Sequence, residues 1–308
     1  MHVTVVVPVH NRETYIGEAI DSVIAQDYPD WDLVVVDDGS TDRSTDVVKS
    51  RMPNVRITFI QMEHIGPAAA VARGIEHARG PVITSLDSDD RLLPNALSTV
   101  IPVFEDNPRL GYVWTNYVDS TGKPGSNNFL PPGKTLFEAL LSDYRHYVQG
   151  HERFFRKELY LRAGGLDTSI KYAEDVQLAL LISRTGCDTL HIPKITYWRR
   201  LHPHQISIDR YVELMKCARM TRRKSCATGM VTNELYLSEL EREIAEIEKE
   251  NEMLWTELGG IRKCFGYKLM QHYGPLIDEV LPDGTKRGRI KRTIVDRLRG
   301  LRDVPREV

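Results

Sequence analysis

Two periods of apolar residues alternate along the first part of the chain. Short runs rich in valine and isoleucine predict strands that are buried on both faces, and four of them occur early: VTVVVPV, DLVVV, VRITFI and GPVITS. Between these runs, apolar residues such as Ile16, Ile20 and Val23 recur every three or four positions, which predicts helices. Strands that alternate with helices indicate right-handed βαβ crossovers. The pattern therefore predicts an α/β fold with a Rossmann-like, mostly parallel sheet flanked by helices.

Polar clusters follow three of the predicted strands. HNR occupies residues 10–12 after the first strand, DDGSTD residues 37–42 after the second, and DSDD residues 87–90 after the fourth. Each cluster alone is also compatible with a turn or a helix cap. In a parallel sheet, however, the carboxyl ends of the strands meet at one edge, where ligands bind. The joint occurrence of the clusters predicts a single site at that edge.

Composition places the chain among ordinary globular proteins. Its 308 residues are 41% hydrophobic and 27% charged, with a formal net charge of −2, which excludes a polyelectrolyte. The sequence lacks the run of about 18 apolar residues that predicts a membrane-spanning helix. Its apolar N-terminus lacks the basic segment of a signal peptide. The scattered cysteines form no C-x-x-C motif, which favours a reducing compartment, so we expect a cytoplasmic protein.

These motifs and their order resemble the inverting family 2 glycosyltransferases of GT-A fold. The resemblance spans residues 3–210 and is carried by VVVPVHNRETYIGEAIDSVIAQDYPDWDLVVVDDGSTD, ITSLDSDDRLLP and GGLDTSIKYAEDVQLALLISRTG. It implies a GT-A-type sheet and the transfer of a sugar from a nucleotide diphosphate to a hydroxyl acceptor, with inversion of the anomeric carbon. The C-terminal third is similar to that of bacterial surface-polysaccharide glycosyltransferases, which implies a glycan or lipid-linked acceptor.

The resemblance also implies which residues bind the nucleotide sugar. In similar enzymes the second acid of the strand-two motif accepts a hydrogen bond from the pyrimidine N3–H, and Asp38 occupies that position. Uracil and thymine carry this donor, which favours UDP or dTDP sugars, and guanine N1–H leaves GDP sugars open. The loop after the first strand is expected to wrap the base and the ribose. The expected contacts are Pro8, Val9, Asn11, Arg12, Asp38, Gly66, Asp87, Ser88 and Arg200.

The acidic cluster after the fourth strand resembles the Asp-x-Asp signature of these enzymes. Carboxylates suit Mn²⁺ or Mg²⁺, which neutralises a departing diphosphate. Asp89 is the expected metal ligand and Asp90 the alternative, whereas Asp87 is expected to face the ribose or a metal-bound water. Further on, YWRRLHPHQIS resembles the loop that covers the diphosphate. It implies that Arg200 binds phosphate oxygens and that His202 contacts the metal or the β-phosphate, although a strand end with ordinary basic residues is equally compatible.

Glu174 and Asp175 open a predicted amphipathic helix. An acidic pair in the first turn complements the helix dipole and needs no further role. The resemblance instead implies that Asp175 is the catalytic base and that Glu174 orients acceptor or donor hydroxyl groups. The chain departs from the family on the donor side, because Val71 and Ala72 stand where many relatives carry Arg and Asn. Arg73 is displaced by two positions and is expected to point elsewhere.

The motifs divide the chain into three regions. Residues 1–115 form the predicted nucleotide-sugar-binding subdomain, and residues 116–210 the acceptor-binding and catalytic-base subdomain. The acceptor region includes STGKPGSNNFLPPGK, which predicts a flexible loop. Residues 211–308 form a predicted helical C-terminal extension.

The extension contains two amphipathic patterns. In the heptad helix 235–261, apolar residues recur at spacings of three and four around Asn251, as in a two-stranded coiled coil. The flanking positions are mostly glutamate, whose repulsion weakens a homodimer, so packing of the helix against its own chain is the alternative. The tail 286–302 carries eight Lys or Arg and one Asp. It predicts an amphipathic helix that binds an anionic membrane surface or the acidic heptad helix, and its lack of interleaved aromatic residues argues against nucleic acid.

Three functions are compatible with these patterns. The favoured one is a metal-dependent, inverting glycosyltransferase of surface glycan synthesis, peripheral on the inner face of the membrane. The same chemistry on a peptide or a small natural product is the second. A catalytically inactive coiled-coil scaffold is the third, and the presence of Asp38, Asp89 and Asp175 argues against it.

Overall fold

The computed structural model describes residues 1–53, 55–125, 135–147, 153–203, 205 and 210–227. These residues belong to one compact unit. The predicted heptad helix, the basic tail and most of the predicted flexible loop lie outside the described residues. Among the helices of the described portion, none combines the length and the apolar character needed to cross a bilayer.

Nine strands and eight helices form in the described residues. The strands are β1 Val3–Val9, β2 Trp31–Asp38, β3 Ile57–Met62, β4 Val82–Ser85, β5 Arg91–Leu92, β6 Leu110–Asp119, β7 Pro124–Gly125, β8 Arg153–Arg156 and β9 Asp188–Arg199. The helices are α1 Ile16–Ile24, α2 Ser44–Lys49, α3 Pro67–His77, α4 Ala96–Asp106, α5 Leu136–Tyr147, α6 Lys157–Arg162, α7 Glu174–Ser183 and α8 Tyr211–Ala227.

All nine strands belong to one sheet in the order β3-β2-β1-β4-β8-β6-β9-β5, with β7 paired to β6. The predicted α/β class is confirmed. The sheet is parallel where β1 pairs with β2 and β4, and where β2 pairs with β3. It is mixed beyond that point, because β8 is inserted between β4 and β6 and runs against both. Since β9 is parallel to β6, the strands β1, β2, β4 and β9 all end at the same edge.

The central strands are buried on both faces, as their continuous apolar runs predict. Val5 and Val7 pack on one face in a cluster that includes Ile20 of α1, whereas Val6 packs on the other face with Ile75 of α3. All five of these side chains are fully buried, and each contributes about 1.5–3 kcal/mol of hydrophobic stabilisation. A one-residue slip would exchange the two faces, so this burial fixes the register and the points at which the loops leave the sheet.

Candidate active site

Asn11 ties together the loops that follow β1 and β2. Its side-chain Oδ1 accepts hydrogen bonds from the backbone N–H groups of Thr41 and Asp42, at 2.8 and 3.3 Å. Its own backbone N–H donates to the hydroxyl oxygen of Ser40 at 3.0 Å. Asn11 has a φ of 51°, a left-handed conformation that Asn tolerates better than most residues. This residue of the predicted donor loop therefore holds the first two polar clusters against each other.

Asp38 lies at the end of β2 and is 2% exposed. Its Oδ1 accepts a hydrogen bond from the backbone N–H of Ile65 at 2.8 Å. Its Oδ2 accepts from the backbone N–H of Gly66 at 3.0 Å and lies 2.9 Å from Nδ1 of His64. A carboxylate offers about four acceptor positions. The protein thus fixes Asp38 in place and leaves one acceptor position for a ligand.

The preceding acid, Asp37, is used by the protein itself. It accepts hydrogen bonds from the Ser40 backbone N–H at 3.0 Å, the Thr45 hydroxyl at 3.0 Å and the Gln61 amide at 3.4 Å. These contacts close the turn after β2 and link it to α2 and β3.

Two imidazole rings cover Asp38. His10 Nδ1 lies 2.8 Å from the carbonyl oxygen of Asp38. The rings of His10 and His64 are stacked, with centroids 4.1 Å apart and an interplanar angle of 23°. The His64 side chain is 45% exposed, so the stack borders solvent.

Gly66 begins α3 directly after this cluster, with a φ of 130° that disfavours any residue with a side chain. A Cβ atom at this position would lie 2.5 Å from Cγ of Lys171. The backbone N–H of Gly66 is one of the donors that hold the Asp38 carboxylate in place. The predicted contact with the nucleotide sugar at Gly66 is therefore limited to the backbone, and the residue also has a structural requirement.

Asp89 connects the loop after β4 with the segments that follow β1 and β9. Its Oδ2 accepts a hydrogen bond from Nε of Arg12 at 3.2 Å and lies 3.0 Å from Nε2 of His202. Its backbone carbonyl accepts from Nε of Arg200 at 2.9 Å. The Asp89 side chain is 15% exposed. The structure thus brings together residues from three motifs that are far apart in sequence.

Asp90 is almost fully buried, at 2% exposure. Its Oδ2 accepts a hydrogen bond from the hydroxyl of Tyr197 at 2.7 Å, and its Oδ1 accepts from the backbone N–H of Arg200 at 2.8 Å. Burial, followed by the charges of Asp87 and Asp89, raises the pKa of Asp90 well above its ordinary value. Because both oxygens already bind the protein, Asp89 is the better placed of the two predicted metal ligands.

The Arg200 guanidinium is committed to other partners. It donates to Oε2 of Glu18 at 2.8 Å and lies 4.8 Å from the ring centroids of both Tyr15 and Trp198. Glu18 is half exposed, with 48% of its side chain accessible. Binding of a phosphate by Arg200 would require an exchange of Glu18 for the phosphate.

Glu174 and Asp175 are the first two residues of α7. Asp175 is 33% exposed, its Oδ2 lies 3.6 Å from Nη1 of Arg153, and its Oδ1 accepts a hydrogen bond from the Val176 backbone N–H at 2.8 Å. Burial, and then the charge of Asp87, raises the pKa of Glu174, while Arg153 opposes the shift. The charge of Asp87, in the cluster after β4, therefore acts on Glu174 at the start of α7.

Three further predicted donor residues occupy the same edge with limited side-chain access. Pro8 and Val9 are paired with Val36 and Asp37 in the β1–β2 register. Val9 is 2% exposed and belongs to the core, so only its backbone faces a ligand. Ser88 is 8% exposed.

Comparison with known proteins bears directly on this arrangement. A family model described as glycosyl transferase family 2 matches residues 4–162, just over half of the chain. The chain belongs to glycosyltransferase family 2. A similar protein is the chondroitin synthase of Escherichia coli, 29% identical over 211 residues that cover 68% of this chain and 30% of that relative. The chain thus spans under a third of the length of this curated relative.

Solved structures resemble this family 2 chain in fold. S. aureus TarS, in complex with UDP-GlcNAc, has a TM-score of 0.67 at 17% identity, covering 98% of this chain and 91% of that chain. The mannosyltransferase PcManGT from Pyrobaculum calidifontis, in complex with GDP-Man and Mn²⁺, has a TM-score of 0.60 at 19% identity, covering 97% and 85%. At these identities the likeness shows a GT-A-like fold.

GT-A enzymes of this kind commonly use a divalent metal, and the side chains of Asp89 and His202 are the candidates to hold one. The Nε2 atom of His202 lies 3.0 Å from the Asp89 carboxylate, and the Nδ1 atom is buried without a hydrogen-bond partner among the described residues. A carboxylate oxygen beside an imidazole nitrogen fits Mn²⁺ better than Mg²⁺, which prefers oxygen ligands. Asp89 and His202 thus fit such an ion.

Arg153 was not predicted from the sequence. It begins β8, and it is 4% exposed, with its Nε and Nη1 atoms lacking a hydrogen-bond partner among the described residues. A buried guanidinium is costly unless an acid compensates it. A charged residue at the start of the short strand RFFR could therefore have indicated that an acidic side chain lies close to Arg153.

The departure on α3 is explained by packing. Val71 is 2% exposed and belongs to the core. Arg73 is exposed and donates to Glu76 at 2.8 Å, on the outer face of the helix. Arg73 thus lies on the exposed surface of α3, as the sequence predicts.

Proposed function

We propose that this family 2 glycosyltransferase is a metal-dependent, inverting enzyme that transfers a sugar from a UDP or dTDP sugar to a hydroxyl group of a glycan. The observation that carries the proposal is the meeting of two sets of side chains at one sheet edge. Asp89 lies beside His202, and Asp87 is near enough to Glu174, the neighbour of Asp175, for its charge to raise the pKa of Glu174. The first set suits a metal and a diphosphate, and the second suits an acceptor hydroxyl.

Donor recognition is assigned to the loops after β1, β2 and β4. Asp38 keeps one acceptor position on a carboxylate that three protein donors hold in place. A pyrimidine N3–H suits that position. TarS was solved with UDP-GlcNAc and PcManGT with GDP-Man, and both resemble this chain in fold. UDP and dTDP sugars are therefore the first donor class, and GDP sugars the second.

Asp89 and His202 are the proposed ligands of Mn²⁺ or Mg²⁺, and Asp90, which accepts from Tyr197 and the Arg200 backbone, is the alternative. When bound, such an ion neutralises charge on the departing diphosphate. Arg12, which already donates to Asp89, and Arg200 add positive charge at the same place. Their guanidinium groups match phosphate oxygens in geometry.

Asp175 is the proposed catalytic base. Its carboxylate takes the proton of the acceptor hydroxyl while that oxygen attacks the anomeric carbon and the bond to the diphosphate oxygen breaks, which inverts the configuration. Arg153, 3.6 Å away, holds the orientation of Asp175 through charge. Glu174, whose pKa burial raises, is proposed to orient a hydroxyl group of the acceptor or the donor.

The acceptor class is proposed from the relatives. The similar E. coli protein is named a chondroitin synthase, and this chain covers 30% of it, so we extend only the glycan class to the acceptor. The division into a donor half, residues 1–115, and an acceptor half, residues 116–210, belongs to the same proposal. Cytoplasmic location, attachment to an anionic membrane and a homodimer stay predictions of the sequence.

A thermal-shift panel of nucleotides and nucleotide sugars, with and without Mn²⁺, tests the proposal. A ligand at about 100 times its Kd stabilises a protein by about 2.7 kcal/mol. We expect UDP or dTDP to raise the melting temperature, with a larger rise when Mn²⁺ is present. Asp89→Ala should remove the Mn²⁺-dependent part, whereas the exposed Asp106→Asn on α4 should keep it. No shift with any nucleotide diphosphate, or an unchanged response in Asp89→Ala, would contradict the proposal.

A further inference from the structure

His10, Asp38 and His64 form a second cluster of potential metal ligands. Each residue offers one nitrogen or oxygen ligand atom, and the three atoms lie within 4.8 Å of one another. His64 Nδ1 is 2.9 Å from Asp38 Oδ2, and His10 Nδ1 is 2.8 Å from the Asp38 carbonyl oxygen. The cluster shares no residue with the Asp89–His202 pair.

The backbone and the ring stack hold this cluster in place. Backbone N–H groups of Ile65 and Gly66 fix the Asp38 carboxylate. The two imidazole rings are stacked at 4.1 Å with an interplanar angle of 23°, so their ring planes do not meet at a nearby point. Binding of a common ion therefore requires one imidazole, the more exposed His64, to turn out of the stack, while the Asp38 carboxylate stays in place.

The donor set selects a different metal from the one proposed for catalysis. Two imidazole nitrogens and one carboxylate oxygen suit Zn²⁺ and its borderline neighbours, whereas Mg²⁺ and Mn²⁺ prefer oxygen-rich sites. Three protein ligands leave a fourth position for water or an incoming group, as in open zinc sites. The His64 side chain is 45% exposed, which gives an ion access from solvent.

We propose that His10, Asp38 and His64 bind a borderline transition metal such as Zn²⁺, and that the bound metal blocks entry of the nucleobase. Metal binding is inferred from the ligand set alone. The blocking of the nucleobase rests on the proposed function, in which the remaining acceptor position of Asp38 binds the base. A metal bound by Asp38 and the two histidines would occupy the space beside the carboxylate that the base must enter, so metal and nucleoside compete.

The test uses the full chain after removal of metals with a chelator. Zn²⁺ binding is measured by calorimetry, and Co²⁺ binding by its visible ligand-field absorption, which reports the coordination number. We expect His64→Gln and His10→Gln each to weaken binding at this site by about tenfold or more, because even outer-shell partners of metal ligands cost 10–100-fold.

Two control variants separate this site from other metal binding. His77→Gln alters an exposed histidine at the end of α3 whose Nδ1 lies 3.0 Å from the Arg73 carbonyl, and should leave Zn²⁺ binding unchanged. Asp89→Asn removes a ligand of the other pair, so it should abolish only Zn²⁺ bound there and leave binding at the His10–Asp38–His64 cluster unchanged. The metal site is overturned if the parent binds no Zn²⁺, or if both cluster variants bind it as the parent does.

Competition is measured with uridine, because the phosphates of UDP would chelate the metal themselves. Uridine should weaken Co²⁺ binding to the parent chain. If the two histidine variants lose the metal but uridine leaves parent binding unchanged, the metal site stands and the blocking clause is overturned. A response to UDP and Mn²⁺ in the thermal-shift panel is independent of this result, so the proposed function and the second site are judged separately.

Discussion

Glu174 and Asp175 are neighbours in the chain but differ in surroundings. Burial raises the pKa of Glu174, whereas Asp175 is 33% exposed and faces Arg153. Two titratable groups whose environments differ in this way can divide the roles of proton donor and proton acceptor. The first-turn position alone would only have indicated a favourable interaction with the helix dipole.

Replacing the proposed base tests this division. Asp175→Asn should lower kcat/KM by about 10²–10⁴, the usual contribution of a general base. The melting shift caused by UDP should not change, because the side chain keeps its size and lies outside the donor loops. The matched control is Asp188→Asn, an exposed acid at the start of β9. A loss of less than tenfold in steady-state transfer would remove Asp175 from the mechanism.

Arg153 is expected to act through Asp175. Arg153→Gln should lower kcat/KM by about tenfold, or about 1.4 kcal/mol in transition-state stabilisation, and Arg153→Lys should lose less because the charge remains. The pH profile of kcat/KM should shift on its acidic limb in Arg153→Gln. Donor-induced melting shifts should be unaffected, and the exposed Arg109→Gln serves as control. If Arg153→Gln weakens donor binding as much as it lowers kcat/KM, the role of Arg153 is structural instead.

At the scale of elements, the short loop after β2 is stabilised by Asp42. Its carboxylate accepts hydrogen bonds from the backbone N–H groups of Glu13 and Ser44, at 3.0 and 2.9 Å. Burial raises the pKa of Asp42, but hydrogen bonds from Ser44 and from the Glu13 amide outweigh it and hold the pKa below its ordinary value. The loop is thereby joined to the start of the donor segment.

This linkage predicts a pH dependence of stability. A carboxyl with a lowered folded pKa contributes stability above its unfolded value of about 3.9 and loses it as the pH falls through the folded pKa. Asp42→Asn should therefore destabilise the protein by about 1 kcal/mol at pH 7. Melting temperatures between pH 6 and pH 3 should fall less steeply in the variant than in the parent. Parallel curves would contradict the assignment.

The early elements were predictable because each had a clear period. The strands β1 to β4 are continuous apolar runs, and α1 and α3 carry apolar residues at helical spacing. The strand β8, RFFR, has an arginine at each end, and β5 has only two residues, so neither forms a continuous apolar run. The long β9 pairs with β6 through several register shifts, which the alternation of side chains does not reveal.

The same limit applies to the site. Asp38, Asp89 and Asp175 could be predicted as site residues because they belong to motifs contiguous in sequence. Arg153 and Tyr197 act through pairings with residues that are distant in the chain, at 3.6 Å from Asp175 and 2.7 Å from Asp90. Such partners follow from the order of strands in the sheet, which a single sequence does not specify.

At the scale of the whole molecule, the basic tail gives a prediction that is independent of catalysis. Removing residues 283–308 should release the protein from anionic liposomes in a sedimentation assay, because each Lys or Arg near such a surface contributes about 1 kcal/mol. A full-length control with the eight Lys and Arg of residues 286–302 replaced by Gln should also be released. Unchanged binding after truncation, or no binding by the intact chain, would contradict the prediction.

The bonds of Asp90 have a practical consequence for recombination between relatives. Asp90 accepts from Tyr197, 107 positions away in the chain, and from the Arg200 backbone. The turn after β4 and the end of β9 thus form one structural unit, although the two segments are far apart in the sequence. A chimera that imports either half alone would pair a buried acid with foreign partners, so both halves must be exchanged together.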